Sequence, residues 1–292
     1  MRRIGIVGVG LLGGAVASRL LEAGLEVVGY DTRPDVMRAL SDRGLKAVAS
    51  VAEAAAADAI FTILPSLDSA DAVVRGPGGL VETARRGATI IQMSTISPGL
   101  TRTLAGAAAA RGLGFLDAPM SGTSAMVARG DCTIFVGGDR ALLETCRPVF
   151  DAIARKTLHV GEIGQASLVK LVTNLLVGLN TAAVAEALVL GTKGGLDPAR
   201  LLDILRESAA GSRMLDVRGP LMVQRRFEPQ MKADLFLKDF KLMLDEGLRL
   251  GVALPLTSLA QQLTTAMVAA GHGGEDLAAL ITTLERMAGM GD

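Results

Sequence analysis

Three glycines near the start of the chain have the spacing of a dinucleotide-binding turn. Gly8, Gly10 and Gly13 follow an apolar run and precede a helical, Ala-rich pattern. The first glycine permits a tight turn, the second lets a pyrophosphate approach the backbone, and the third lets the helix pack on the strand. The helix N-terminus then offers N–H groups and a positive dipole end to the phosphates. Because the chain contains 35 glycines, a plain strand–turn–helix corner is the alternative.

An acidic residue strengthens the dinucleotide interpretation. Asp31 ends the next apolar run, about 20 residues after the turn, where a ribose-binding carboxylate is expected. A carboxylate accepts both ribose hydroxyls of NAD and repels the 2′-phosphate of NADP, whereas the nearby Arg33 could bind that phosphate instead. The sequence therefore favours NAD, with NADP as the alternative. The candidate cofactor-binding residues here are Gly8, Gly10, Leu11, Leu12, Gly13, Asp31, Thr32 and Arg33.

Two further groups of polar residues could act on a substrate. Lys170 and Asn174 are four residues apart in an otherwise apolar helical stretch, so they share one helix face. The lysine alone could extend to solvent, but the asparagine beside it favours a polar stripe that faces a cleft. Ser121, Gly122 and Thr123 offer two hydroxyls and close backbone approach, which suit a carboxylate, although an ordinary Ser/Gly loop has the same composition.

The elements that must position these residues follow from hydrophobic periodicity. Strands are predicted at residues 4–7, 26–30, 59–64, 89–93, 114–116 and 133–136, and helices between them at 12–23, 34–43, 51–56, 79–85, 99–111 and 140–153. After the turn at residues 161–164 the pattern is helical, at 165–193, 198–208, 234–250, 255–270 and 275–287. Strand–helix alternation indicates a parallel sheet, so we expect an α/β domain over residues 1–163 and an all-α domain over residues 164–292.

Composition excludes several other classes of protein. The formal net charge is zero, and the chain has no Trp and one Tyr, which argues against nucleic-acid or anionic-membrane partners. No uninterrupted apolar stretch predicts a membrane span. The two cysteines cannot form a disulfide framework, which suits the cytoplasm, and the two histidines are not at metal-ligand spacing, so no metal is expected.

Four more motifs give the chain a family resemblance. They are MSTISP (93–98), DAPMSGTSAMVARG (117–130), GEIGQASLVKLVTN (161–174) and FLKDFKLML (236–244). With the N-terminal turn they resemble the β-hydroxyacid dehydrogenase family, which includes 3-hydroxyisobutyrate dehydrogenase and the tartronate and succinic semialdehyde reductases. The resemblance covers essentially the whole chain in the right order. It implies an N-terminal Rossmann-like, doubly wound parallel sheet followed by an all-α domain, joined by a long helix, with the active site in the cleft between them.

The resemblance also assigns roles residue by residue. It places Ser121, Gly122 and Thr123 at the substrate carboxylate, Lys170 as the catalytic lysine and Asn174 as its partner. The implied cofactor-side residues are Leu64, Pro65, Ser94, Thr95 and, from the helical domain, Lys238. The chain departs from the usual family pattern at Gln92, Thr123 and Ala166. Because Thr123 changes the substrate loop, the sequence does not name a substrate.

The function predicted from the sequence is hydride transfer between NAD(P) and a small 3-hydroxy acid or its semialdehyde. Lys170 would take the hydroxyl proton during oxidation and return it during reduction. The alternatives are a 6-phosphogluconate-type enzyme, an imine-reductase-like relative, in which this lysine is usually replaced, and a non-catalytic NAD-binding sensor. A long apolar helix also predicts a homodimer or homotetramer, because so much apolar surface needs cover.

Overall fold

The computed structural model describes residues 3–291. The chain divides into two compact units, residues 1–170 and 171–292. The division falls inside the long helix that the sequence predicted, so the first residues of that helix group with the first unit. The predicted boundary after residue 163 lies at the turn that precedes the helix and remains a proposal.

The first unit is built on a twisted, mostly parallel sheet. Its strands are β1 (Arg3–Val7), β2 (Glu26–Tyr30), β3 (Lys46–Ala47), β4 (Ala59–Thr62), β5 (Thr89–Gln92), β6 (Gly114–Asp117), β7 (Met120–Ser121), β8 (Thr133–Gly137) and β9 (Lys156–Gly161). The strand order within the described residues is β3-β2-β1-β4-β5-β6-β8-β7, with β9 also paired to β8. Strands β1 to β6 pair in parallel, whereas β8 runs antiparallel to β6 and β7. This is the doubly wound, Rossmann-like sheet that the sequence predicted.

Helices cover both faces of the sheet. They are α1 (Leu11–Glu22), α2 (Pro34–Ser41), α3 (Val51–Ala54), α4 (Leu67–Arg75), α5 (Leu80–Thr83), α6 (Pro98–Ala110), α7 (Ser124–Ala128) and α8 (Arg140–Ile153). Successive residues of one strand enter different cores: Phe61 packs with Val16 and Phe150, while Ile60 packs with Val74 and Leu104. The central strands are therefore buried on both faces, which explains their continuous apolar runs.

The second unit is helical. The long helix α9 (Gln165–Lys193) leads into α10 (Pro198–Glu207), α11 (Arg213–Val223), α12 (Ala233–Leu250), α13 (Pro255–Met267) and α14 (Leu280–Met287), with a π-helical turn at Val268–His272 and a 3₁₀ turn at Leu277–Ala279. Within residues 171–291 the structure assigns no strand. Gly178 of α9 permits close packing, because a Cβ there would lie 2.7 Å from the ring of Phe240.

By length and composition alone, α9 could cross a membrane. Its most apolar window is 39% buried within the structure. The central helix of a water-soluble protein passes the same test, so this observation does not by itself indicate a membrane protein.

The predicted elements differ from the structure mainly where local signals are short or mixed. Strands β3, β7 and β9 and helices α4, α7 and α11 were not predicted. Helix α11 contains Gly219 and Pro220, which ordinarily interrupt helices. Gly219 lets α11 pack closely on α10, because a Cβ at this position would lie 2.5 Å from the terminal Cδ1 of Leu202. The helix predicted at 275–287 begins later, because Asp276 first caps the 3₁₀ turn.

Candidate active site

The glycine turn between β1 and α1 has the geometry that a dinucleotide requires. Gly8 has a φ of +92°, a backbone conformation that L side chains rarely adopt, and a Cβ there would also overlap Ile63 O. A Cβ on Gly13 would overlap Gly8 O, so the helix packs directly on the turn. Gly10 is the N-cap of α1 and no side chain caps the helix. The first-turn N–H groups therefore remain uncapped by side chains, which fits a pyrophosphate.

Asp31 and Arg33, which could select between NAD and NADP, form an ion pair at the end of β2. Asp31 Oδ1 accepts from Arg33 N at 3.0 Å and from Arg33 Nε at 3.2 Å, and Asp31 Oδ2 accepts from Val9 N at 3.0 Å. Burial acts to raise the pKa of Asp31, but the hydrogen bonds from Arg33 and Val9 outweigh it and hold the pKa below its usual value. The carboxylate is thus charged near neutral pH and joined to the glycine turn.

A neutral network joins the ends of β4 and β5. Gln92 Oε1 accepts from Thr62 Oγ1 and from Ser94 N, both at 2.9 Å, and Gln92 Nε2 donates to Ser94 O at 2.8 Å. The Ser94 hydroxyl donates to Thr62 O at 3.2 Å and accepts from Leu64 N at 2.8 Å. The hydroxyl, the backbone N–H and the backbone carbonyl of Ser94 are therefore all engaged within this network. The network also explains Gln92, since a carboxylate could not donate to Ser94 O.

The predicted substrate loop forms a short strand followed by a helix. Ser121 ends β7, half-buried, and its hydroxyl has no hydrogen-bond partner among residues 3–291. Gly122 has a φ of +153°, and a Cβ there would lie 2.9 Å from the Cβ of Cys132. Thr123 is the N-cap of α7, and its hydroxyl accepts from Met126 N at 3.3 Å. Thr123, unusual for the family, thus has a local structural role.

The candidate catalytic lysine lies one turn into α9. Lys170 is 7% exposed and Asn174, four residues later on the same helix, is 3% exposed. Asp117 at the end of β6 bonds to the turn just before the lysine: Gly164 N and Ser167 N each donate to Asp117 Oδ2 at 2.9 Å. Ser167 Oγ donates to Asp117 Oδ1 at 2.7 Å. Both polar side chains of this apolar helix are therefore buried, and burial favours the neutral form of a lysine, which proton transfer requires.

In the second unit Asn174 is held by a carboxylate. Asn174 Nδ2 donates to Asp239 Oδ2 at 2.7 Å, and Lys238 Nζ lies 3.1 Å from Asp239 Oδ1 as an ion pair. Asp239 is itself buried. Three of the residues in the quoted motifs at 161–174 and 236–244 therefore form one cluster. Within the described residues, no group of three His, Cys, Asp or Glu side chains could hold a metal ion.

Asp117 and Asp239 were not among the residues predicted for the site. Asp117 lies inside the motif DAPMSGTSAMVARG and Asp239 lies inside FLKDFKLML. Asp117 follows a buried apolar strand, where an unpaired charge is costly, and that position was the available signal. Asp239 gave a weaker signal, because a Lys–Asp pair on a helix is usually a solvated face.

Two family models together cover nearly the entire chain. The NAD binding domain of 6-phosphogluconate dehydrogenase matches residues 3–161, and the NAD-binding domain of NADP-dependent 3-hydroxyisobutyrate dehydrogenase matches residues 164–284. The fold and the open glycine turn define an NAD(P)-binding oxidoreductase. The chain belongs to the β-hydroxyacid dehydrogenase family.

Individual relatives are similar to this chain over nearly its full length. The chain is 36% identical to 2-(hydroxymethyl)glutarate dehydrogenase of Eubacterium barkeri, covering 99% of this chain and 96% of that protein. It is 34% identical to 2-hydroxy-3-oxopropionate reductase of Escherichia coli, covering 98% of each. The crystal structure of 3-hydroxyisobutyrate dehydrogenase from Salmonella typhimurium matches with a TM-score of 0.88 at 32% identity, covering 97% of this chain and 99% of that one. This protein is therefore an NAD(P)-dependent dehydrogenase or reductase acting on small hydroxy acids or semialdehydes.

Proposed function

We propose that the enzyme interconverts a small 3-hydroxy acid and its semialdehyde, with Lys170 as the proton-transfer residue. The observation that supports this assignment is the burial of Lys170 and Asn174 at helical spacing on an apolar helix, directly after the turn that Asp117 binds. When bound, the nicotinamide cofactor takes up or supplies the hydride at the carbon that carries the oxygen. During oxidation Lys170 Nζ accepts the hydroxyl proton as the carbonyl forms, and during reduction it returns that proton.

The other residues have positioning roles in this proposal. Asn174, held by Asp239, orients the lysine or the substrate hydroxyl. Ser121 donates to the substrate carboxylate together with the backbone of Gly122, and the hydroxyl of Thr123 caps α7 and shapes the loop. Residues 1–163 supply all but one of the proposed cofactor contacts, and residues 164–292 supply Lys238 and complete the enzyme. The proposed cofactor contacts are Gly8, Gly10, Leu11, Leu12, Gly13, Asp31, Thr32, Arg33, Leu64, Pro65, Ser94, Thr95 and Lys238.

We propose NAD as the preferred cofactor. The support is the Asp31–Arg33 ion pair, in which the carboxylate is charged and the guanidinium is already engaged. The negative charge of Asp31 would repel the 2′-phosphate of NADP. The Arg33 side chain is 58% exposed, but it could bind that phosphate only after its ion pair with Asp31 had broken.

A homodimer or homotetramer in the cytoplasm remains our proposal for the assembly. Its support is a set of exposed apolar side chains on α9, among them Val172, Leu176 and Leu190. Exposed apolar surface of this kind needs a partner in water. Light scattering coupled to size-exclusion chromatography measures the mass directly, and a 30 kDa species at micromolar concentration would contradict the proposal.

The function is tested with a panel of three- to five-carbon 3-hydroxy acids and semialdehydes, each assayed with NAD(H) and NADP(H). Good substrates should carry a free carboxylate, and their methyl esters should be poor. Ser121→Ala should raise KM for the acid, because a hydrogen bond to a charged group contributes about 1.5–3 kcal/mol. Ser124→Ala, in the next helix, is the matched control and should leave KM unchanged. Equal turnover of acid and ester would remove the carboxylate from the recognition model.

A further inference from the structure

Asp117 is a buried carboxylate that serves as the cap of a distant helix. It ends β6 and is 0% exposed, yet all three of its described donors belong to the segment around the start of α9, 47 to 50 residues later in the chain. Backbone N–H groups at a helix start have no partner within the helix. The Asp117 carboxylate satisfies two such groups, those of Gly164 and Ser167.

Burying the charged Asp117 carboxylate costs free energy. Burial raises the pKa of Asp117, and the hydrogen bonds from Ser167 and Gly164 lower it without fully compensating, so the pKa lies above its usual value. An apolar residue would avoid that cost, but it could not accept three hydrogen bonds. The carboxylate fixes the rotation and the axial position of the first turn of α9 instead.

A second contact holds the same turn. Ser167 Oγ also lies 2.8 Å from Thr101 Oγ1 of α6, and Thr101 Oγ1 lies 3.1 Å from Ser97 O. Ser97 belongs to the motif MSTISP, which follows β5. Ser167 is thus bound from two directions, by the end of β6 and by the first turn of α6.

Both groups of the proposed chemistry extend from this anchor. Lys170 follows Ser167 by three residues, which is about one helical turn and places the two side chains on neighbouring positions of one face. In the other direction, Ser121 follows Asp117 by four residues through Ala118, Pro119 and Met120. The residue that fixes the helix therefore also begins the substrate loop.

We propose that Asp117 is a positioning residue for Lys170, setting the lysine relative to the Ser121 loop through the first turn of α9. The proposal rests on the proposed function, in which Lys170 transfers the proton. Asp117 touches neither substrate nor cofactor in this scheme. Its loss displaces Lys170 and lowers turnover, whereas the glycine turn that binds the cofactor phosphates is unchanged.

The experiment compares Asp117→Asn with the wild-type holoenzyme. The amide keeps the shape of the side chain but removes its charge. With its oxygen toward the N–H groups of Gly164 and Ser167, its NH2 takes the place of Oδ1, so the Ser167 hydroxyl can no longer donate to this position. We expect kcat to fall about 10- to 100-fold, the usual effect of a displacement of about 1 Å in a catalytic group, and KM for NAD to stay within about threefold. Ser167→Ala removes only the contacts of the Ser167 hydroxyl with Asp117 and Thr101, so it should lower kcat by a smaller factor. This variant tests the proposal if Asp117→Asn does not fold.

The matched control is Asp276→Asn in the second unit. Asp276 is also 0% exposed, and its carboxylate accepts from Arg218 Nε and from the backbone N–H groups of Gln230, Met231 and Ala278. This variant should lower the thermal midpoint but keep kcat per folded molecule within about twofold, the scatter expected of sites without shared partners. An equal loss of kcat in Asp276→Asn and Asp117→Asn would show that Asp117 acts only through general stability, and would overturn the proposal.

A second cycle separates this proposal from the role of the lysine. In a Lys170→Ala background, Asp117→Asn should cause no further loss of turnover, because the group that it positions is absent. A fully additive loss would contradict the positioning role while leaving Lys170 in the mechanism. If Lys170→Ala alone kept wild-type turnover, the proposed role of the lysine would be wrong. That result does not depend on any Asp117 variant.

Discussion

Asn174 Nδ2 donates a 2.7 Å hydrogen bond to Asp239 Oδ2, joining α9 to α12 across 65 residues of chain. Because a carboxylate only accepts, this bond decides which end of the Asn174 amide faces Asp239. The ion pair between Asp239 and Lys238 anchors the same carboxylate from the other side. The orientation of the amide is therefore a property of the helical unit that exists before substrate binds.

Replacing Asn174 by Ala should lower kcat by about tenfold or more, yet less than loss of the lysine, because an amide orients a proton donor but cannot take its place. Asn174→Asp should be worse than Asn174→Ala, since it sets two buried carboxylates against each other. Steady-state kinetics on both variants, with Asn180→Ala on the same helix as control, measures the effect. Wild-type kcat in Asn174→Ala would assign the residue to stability alone.

Lys170→Ala should reduce turnover by about 10²- to 10⁴-fold, the usual contribution of general acid–base catalysis. NAD binding, followed by fluorescence or calorimetry, should be nearly unchanged, since the phosphates are expected at the glycine turn. Lys170→Arg should not restore activity, because a guanidinium keeps its proton near neutral pH. Lys193→Ala, at the exposed end of the same helix, is the control. Near-wild-type turnover of Lys170→Ala across pH would leave Ser121 or a bound water as the proton carrier.

Cofactor preference should respond to the Asp31–Arg33 pair. The wild type should have a higher kcat/KM with NAD than with NADP. Asp31→Asn should reduce this difference, because it removes the charge that repels a 2′-phosphate and releases Arg33 to bind it. Because the pKa of Asp31 lies below its usual value, the carboxylate stays charged and the preference should persist as the pH falls to about 5. The double variant Asp31→Asn/Arg33→Ala should lose the increase in kcat/KM with NADP that Asp31→Asn alone gives. A wild type that prefers NADP would show that Arg33 dominates this site.

Gln92→Glu should destabilise the first unit. The substitution replaces the donor to Ser94 O with an oxygen and puts a charge among fully buried groups, which costs about 1–3 kcal/mol or more. Urea denaturation measures the free energy of unfolding, and the exposed Gln262→Glu is the matched control. Since Ser94 and Leu64 depend on the same network, KM for NAD should also rise. An unchanged unfolding midpoint would mean that the network adapts to the charge.

Sequence reasoning was most successful where one element carries a long, uniform signal. Helix α9 was predicted at 165–193 and is found at Gln165–Lys193, and the parallel strands at the centre of the sheet were placed within two residues of their observed ends. These strands are buried on both faces, so their apolar runs are continuous and easily read. The two-residue strands β3 and β7 depend on neighbours in space and leave almost no local pattern.

In the candidate site, too, local patterns could be recognised from the sequence, whereas features that depend on distant residues could not. The glycine turn and the Lys–Asn stripe are local patterns and were recognised. The roles of Asp117 and Asp239 depend on partners about 50 and 65 residues away, which a single sequence does not reveal. The structure also changes the interpretation of two recognised residues, since the hydroxyls of Thr123 and Ser94 bond to nearby backbone groups.

The glycine turn restricts how this corner of the protein can change by mutation. A side chain on Gly13 would overlap the backbone of Gly8, and a side chain on Gly8 would overlap the backbone at Ile63. Neither obstacle is a side chain that a compensating substitution could shorten. In a library of random variants, no second mutation elsewhere should rescue a replacement at either glycine. Tolerated variation in the loop should instead fall at Leu11, whose side chain is exposed and whose proposed contact with the cofactor needs only its backbone.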